Sequence, residues 1–207
     1  MLPPGAWGTS MLRAATYSRS YTATGGTTVP YGGTEHTVAT MIQLAKGAVD
    51  PRHMVMRSLD GERSVPVRRH TEQIINNIRP KDYTSEVIAI GKWWGNAGRY
   101  TRDPVHIEML RTVDQLIADA LSGNLACDCD EFAEAIAASC MTIGARCQFV
   151  TVGFTPRLVG EPPTYTHVWT RAQCPRSKVW WVLDPVAGRK TSDMLRRVKQ
   201  WAVYEVQ

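Results

Sequence analysis

Ala126-Cys127-Asp128-Cys129-Asp130-Glu131-Phe132-Ala133-Glu134-Ala135-Ile136-Ala137 opens the stretch that decides the fold, which runs on through Cys140 and Ile143 to Gly144. Phe132, Ile136, Cys140 and Ile143 recur at helical spacing, with Ala133 and Ala137 beside them, so the pattern predicts an amphipathic helix over 130–143. Asp130, Glu131 and Glu134 lie in its first turns, where the helix dipole favours negative charge. Gly144 supplies the stop. Downstream, the alternation of apolar and polar residues predicts strands at 147–154, 165–171, 178–183 and 201–206. The stretch 172–177, with Pro175, reads as the hairpin turn between the second and third of these.

Upstream, the periodicity is helical. It predicts a helix from Val38 to near Gly47, capped by Thr37 or Thr40, and a second over 71–78 closed by Pro80. A third runs over 85–94 and stops at Gly95 and Gly98, and 104–121 reads as a helical or turn-rich approach broken by Ser122-Gly123-Asn124. Residues 1–37 are rich in Gly, Thr, Ser, Pro and Tyr and bury little apolar surface. They are expected to form an extended or loosely docked arm, which either ties down on a partner or remains a disordered end. The expected organisation is therefore an arm over 1–37 and one domain over 38–207. Its helical part spans 38–122, and the central helix with its sheet spans 123–207. Helices followed by an antiparallel sheet make this α+β.

Bulk properties set the outer limits. With 43% hydrophobic and 21% charged residues in 207, the chain suits a soluble domain with a core. No stretch approaches the roughly 18–20 apolar residues of a membrane span. Met1-Leu2-Pro3-Pro4-Gly5 has no basic residue ahead of an apolar run, so no secretory signal is expected and synthesis in the cytoplasm is. The net charge of +5 arises in residues 1–100, where it is spread along the chain and not gathered into a block. A specific nucleic-acid surface is not expected. Five cysteines, an odd number, argue for reduced thiols rather than a disulfide framework.

Three residues carry the chemistry. Cys129 stands at the start of the helix, where the dipole and free N–H groups favour a thiolate and its own N–H can face a tetrahedral oxyanion. His167, in Tyr165-Thr166-His167-Val168-Trp169, lies on a predicted strand. Asp184, in Trp180-Trp181-Val182-Leu183-Asp184-Pro185, ends the next. Two antiparallel strands joined by a short turn set His167 and Asp184 side by side, and a helix packed on that sheet delivers Cys129 to the same spot. That is the nucleophile, base and orienter set of thiol acyl transfer. Asp130 and Glu131 oppose ionisation of the thiol, and their side chains are expected to turn outward.

Asp128-Cys129-Asp130-Glu131-Phe132-Ala133, then His167-Val168-Trp169, then Val182-Leu183-Asp184-Pro185, resemble in order and spacing the motifs of the transglutaminase-like superfamily. Arg99-Tyr100-Thr101-Arg102-Asp103-Pro104 and Phe149-Val150-Thr151-Val152-Gly153-Phe154 resemble its bacteriophage-encoded variant. The likeness covers roughly 85–190. It implies a papain/transglutaminase-like core, in which helices and a central helix pack on an antiparallel sheet. It also implies a Cys129–His167–Asp184 triad acting on amide bonds as peptidase, amidase or transglutaminase, with no metal or organic cofactor. Just upstream, relatives supply an aromatic or polar residue as the second oxyanion donor, for which Trp93, Trp94 and Tyr100 are the candidates.

Where the family has Gly before Asp-Cys, this chain has Cys127. Cys127 is the alternative nucleophile or a regulatory thiol, while Cys129 keeps the family register. A zinc site of Cys127, Cys129, His167 and Asp184 is the rival chemistry, but Cys-x-Cys without a second pair fits it poorly. Cys140, Cys147 and Cys174 read as buried small hydrophobes, and His36, His53, His70 and His106 as structural or solvent-facing. The expected substrate is a peptide or protein amide. The alternative role is a virion component of tail, baseplate or connector that retains the fold. In that role residues 1–37 would contact other virion proteins, and the protein would leave the host cytoplasm in the particle.

Overall fold

The computed structural model describes residues 26–31, 34–39, 41–45, 51–103, 107–157, 159–160, 163–187 and 191–206. Its second half follows the sequence pattern closely. Helix α5 (Cys129–Thr142) starts on Asp128, whose carboxylate accepts from the N–H groups of Asp130 (3.0 Å) and Glu131 (3.3 Å), and Gly144 follows at φ +79°. Only glycine takes that left-handed position without a Cβ penalty. Strands β7 (Arg146–Gly153), β8 (His167–Gln173), β9 (Trp180–Leu183) and β10 (Gln200–Glu205) form one antiparallel sheet in the order β10-β7-β8-β9. The molecule is α+β, with helices and a central helix packed on an antiparallel sheet.

The sheet's two faces alternate as strands require. On β8, Val168, Thr170 and Ala172 turn toward α5, and the Thr170 hydroxyl donates to the Ala133 carbonyl at 2.6 Å. Trp169 turns the other way and packs with Val150 and Val152, joined by Leu195 and Met194 of α6 (Thr191–Arg197), a helix the sequence reading lacks.

On its far side α5 meets α1 (Pro51–Arg63), α2 (Val65–Ile75), α3 (Tyr83–Ala97) and α4 (Val113–Leu121). The expected amphipathic helix is therefore corrected. Every residue from 131 to 141 is buried, because helices cover the side that solvent was to take. Small side chains make that enclosure possible. A Cβ on Gly61 of α1 would come within 2.9 Å of both Ala138 Cβ and Val113 Cγ2, so α1 approaches α5 and α4 at a distance only glycine allows. Ser58, one turn earlier, donates to the Glu134 carbonyl of α5 (3.3 Å).

The helix expected over Val38–Gly47 is also corrected. Strand β1 (Gly26–Tyr31) pairs antiparallel with β2 (Thr34–Ala39), and β3 (Met41–Ala45) pairs antiparallel with β5 (Ile107–Arg111). A short apolar run fits either period, and pairing with a strand far along the chain selects the extended form. Strand β2 thus crosses the 37/38 boundary of the expected arm, and residues 1–25 of that arm lie outside the described residues. The approach at 104–121 resolves into β5 and α4, separated by Thr112, whose hydroxyl caps α4 by accepting from the Gln115 N–H (3.3 Å). Helix α1 was not expected, and α2 starts earlier than the predicted 71, on a Ser64 cap with Pro66 in its first turn. Two-residue strands β4 (Arg99–Tyr100) and β6 (Ala126–Cys127) pair in parallel and lead the chain into α5.

Two glycine substitutions test this packing. Gly61→Ala gains up to about 1 kcal/mol in helix propensity but incurs about 1–3 kcal/mol of overpacking, so it lowers stability. In Gly95→Ala the new Cβ would sit 3.5 Å from Pro185 Cβ, an ordinary contact, and the propensity gain raises stability. Urea unfolding of the two variants checks both signs.

Candidate functional site

Cys129 is the first residue of α5 and is half-buried. The Val168 backbone N–H, on β8, reaches its sulfur, and its own S–H donates to Asp130 Oδ1 at 3.4 Å. His167 Nε2 lies 2.9 Å from Asp184 Oδ2. The other Asp184 oxygen accepts from the N–H groups of Val186 and Ala187, both at 3.0 Å, so the carboxylate is held by the turn that follows β9. The structure therefore joins His167 to Asp184 directly and brings the Cys129 thiol to the backbone of the residue next to His167. The strand register explains the first pairing. Thr170 stands opposite Leu183, which sets the start of β8 beside the residue that follows β9.

Electrostatics at the thiol differ from the sequence expectation. Burial, then the carboxylates of Asp130 and Asp128, push the Cys129 thiol well up, while the Val168 N–H pulls it down. The Asp128 cap occupies the N–H groups of Asp130 and Glu131 that a thiolate was to use. The expectation that Asp130 and Glu131 turn outward is corrected for both. Asp130 faces the thiol, and Glu131 is 1% exposed, turned in toward Arg111.

Cys127 is buried on β6, and its thiol is pushed well up by burial and by Glu131, with Arg111 opposing. Of the two residues, Cys129 is the less buried. Cys140 and Cys147 are buried, as expected of small hydrophobes; Cys174 is buried too, but against that burial hydrogen bonds with Ser177 and Thr84 (3.5 Å) pull its thiol down to about 7.

The three oxyanion candidates separate. Trp94 is fully buried and donates its indole N–H to Ser139 Oγ at 3.1 Å, most of the way down α5 from Cys129, so the structure removes it. Trp93 stacks edge-on against His70, with ring centroids 4.2 Å apart, and belongs to the α2–α3 contact. Tyr100 is 46% exposed and pairs with Cys127 across β4 and β6, and its phenol is pushed up by burial, then by Cys129 and Asp128.

Among the described residues, the metal-ligating atoms that come within 4.8 Å of one another belong to Asp128, Cys129 and Asp130. That group holds neither Cys127, His167 nor Asp184, and Asp128 Oδ1 is already committed to the helix cap. Among the described residues, no helix is long and apolar enough to cross a membrane.

In overall structure the chain is similar to a candidate cysteine protease from Cytophaga hutchinsonii (15% identity, TM-score 0.48), over 79% of this chain and 53% of that one. It is also similar to a candidate protease from Parabacteroides distasonis (10% identity, TM-score 0.48), over 88% of this chain and 38% of that one. At such identities the likeness is one of fold alone. The chain spans about half the length of the first of these proteins and less of the second. No family model and no curated protein sequence matches it.

The carboxylate at the thiol makes a direct test. Asp130→Asn removes a negative charge that raises the Cys129 pKa, so the thiolate fraction at a given pH below that pKa must grow. A drop of about one unit gives about tenfold faster alkylation there. The pH profile of iodoacetamide labelling at Cys129, followed by peptide mass, should shift to lower pH in this variant.

Proposed function

We propose that the protein is a thiol-dependent acyl hydrolase or transferase acting on amide bonds, of the transglutaminase-like, papain-type kind its motifs resemble. One observation carries this reading: the His167–Asp184 hydrogen bond is formed at the sheet edge beside the strand backbone that holds the Cys129 sulfur.

In this mechanism Asp184 engages Nε2 of His167 and orients the ring, leaving Nδ1 to exchange the proton. The resting nucleophile is a protonated thiol. As Cys129 Sγ bonds to the substrate carbonyl carbon, its proton passes to His167, so charge separates only when substrate is present. The carbonyl oxygen becomes an oxyanion, taken by the Cys129 N–H and the Tyr100 hydroxyl. His167 then gives the proton to the leaving amine, the C–N bond breaks and a thioester remains. Water or a second amine, deprotonated by His167, cleaves the thioester and returns the thiol.

A panel of peptide and side-chain amides, assayed for released amine, tests this. Cys129→Ala abolishes turnover. His167→Ala lowers kcat/KM by about 10²–10⁴, and Tyr100→Phe lowers kcat by about 10². The proposal fails if no amide is turned over and Cys129 alkylates at the same rate with and without His167. A fold-retaining virion component would then be the reading left.

A further inference from the structure

Cys129 lies between two attachments to a single side chain. Arg111, the last residue of β5, donates from Nη2 to the Ala126 carbonyl (2.6 Å), three residues before Cys129. It also donates from Nη2 to Glu131 Oε2 (2.7 Å) and from Nε to Glu131 Oε1 (2.8 Å), two residues after Cys129. The Arg111 backbone N–H reaches Glu131 Oε1 as well (3.1 Å). Nη1 is anchored on Asp119 of α4 (2.7 Å), and Gln115 Nε2 holds the other oxygen of that carboxylate at 2.7 Å. The strand entering the site, the first turn of α5 and helix α4 thus converge on one guanidinium, whose planar fork fixes direction as well as distance.

We propose that Arg111 is a positioning residue for Cys129, setting where the thiol stands relative to His167. This rests on the acyl-transfer reading above. Stability alone does not call for such a device. A buried ion pair replaced by apolar groups of similar size is often neutral or stabilising. Geometry does call for it, since a misplacement of about 1 Å at a reacting atom costs about 10²-fold in rate. The pair also keeps the Glu131 carboxylate turned away from the thiol, where it would add to the charge of Asp128 and Asp130.

The test uses the full chain and the variants Arg111→Met, Glu131→Met, the double variant and Arg111→Lys. Thermal unfolding, amide hydrogen exchange over 126–131, and iodoacetamide labelling of Cys129 with and without His167→Ala are measured in each. Each single Met variant, which leaves one buried partner unmatched, melts lower than the parent, and the double variant regains most of the loss. In the folded double variant, exchange over 126–131 quickens at least tenfold. The dependence of labelling on His167 falls to less than twofold. Arg111→Lys, which keeps the charge without the fork, loses part of that dependence and serves if the double variant does not fold.

Unchanged exchange, with His167 dependence retained, would overturn the proposal and leave Arg111 a stability element. If the parent chain itself has no His167 dependence, the acyl-transfer reading fails. Hydrogen exchange alone then decides whether Arg111 holds the segment.

Discussion

Enclosure of one helix governs this structure. Helix α5 is covered on one side by β7 and β8 and on the other by four helices, and Ala133, Ala135, Ala137 and Ala138 among its buried positions help it accept this. Alanine loses no side-chain entropy on burial and lets neighbouring backbones approach closely. Several of the polar groups that enter with the helix are bonded across its contacts, while burial keeps the Glu134 carboxyl well above the usual carboxylate range. Ser139 meets the Trp94 indole, Thr170 the Ala133 carbonyl and Ser58 the Glu134 carbonyl. Because α5 is held on every side, its first residue is held too, and a reactive sulfur at that position inherits the rigidity of the whole core.

Local pattern revealed this helix, the four strands after it and most of α3, because period and punctuation coincide there. It also revealed that His167 and Asp184 meet, since a hairpin register is short-range information. Other features were hidden, four of them for reasons that can be named. Met41 to Ala45 fits two periods, and its pairing partner lies over sixty residues away. Helix α1 is polar over much of its length and carries Gly61, which weakens the helical signal while serving a contact no local rule reports. Trp94 precedes Tyr100 by six positions and looked equally near the site, yet α3 turns it into the core. The Arg111–Glu131 pair joins β5 to α5 between residues twenty apart, and nothing in either neighbourhood announces it.

The thiol's surroundings set the sequence expectation and the folded geometry in opposition. A helix start favours a thiolate through its dipole, but here the cap belongs to Asp128 and two carboxylates stand beside the sulfur. The balance therefore falls to the protonated form. In the acyl-transfer reading proposed above, the base would then act as the bond forms rather than through a standing ion pair.

The order of elements along the chain has a consequence for synthesis. Helices α1 to α4 all leave the ribosome before α5, the partner they share. At about 5–20 residues per second, the wait between Arg63, the end of α1, and Thr142, the end of α5, is roughly 4–16 s. During that interval the inward faces of the first helices, Met54 and Val67 among them, have no α5 to cover them. They meet water or a chaperone until it arrives.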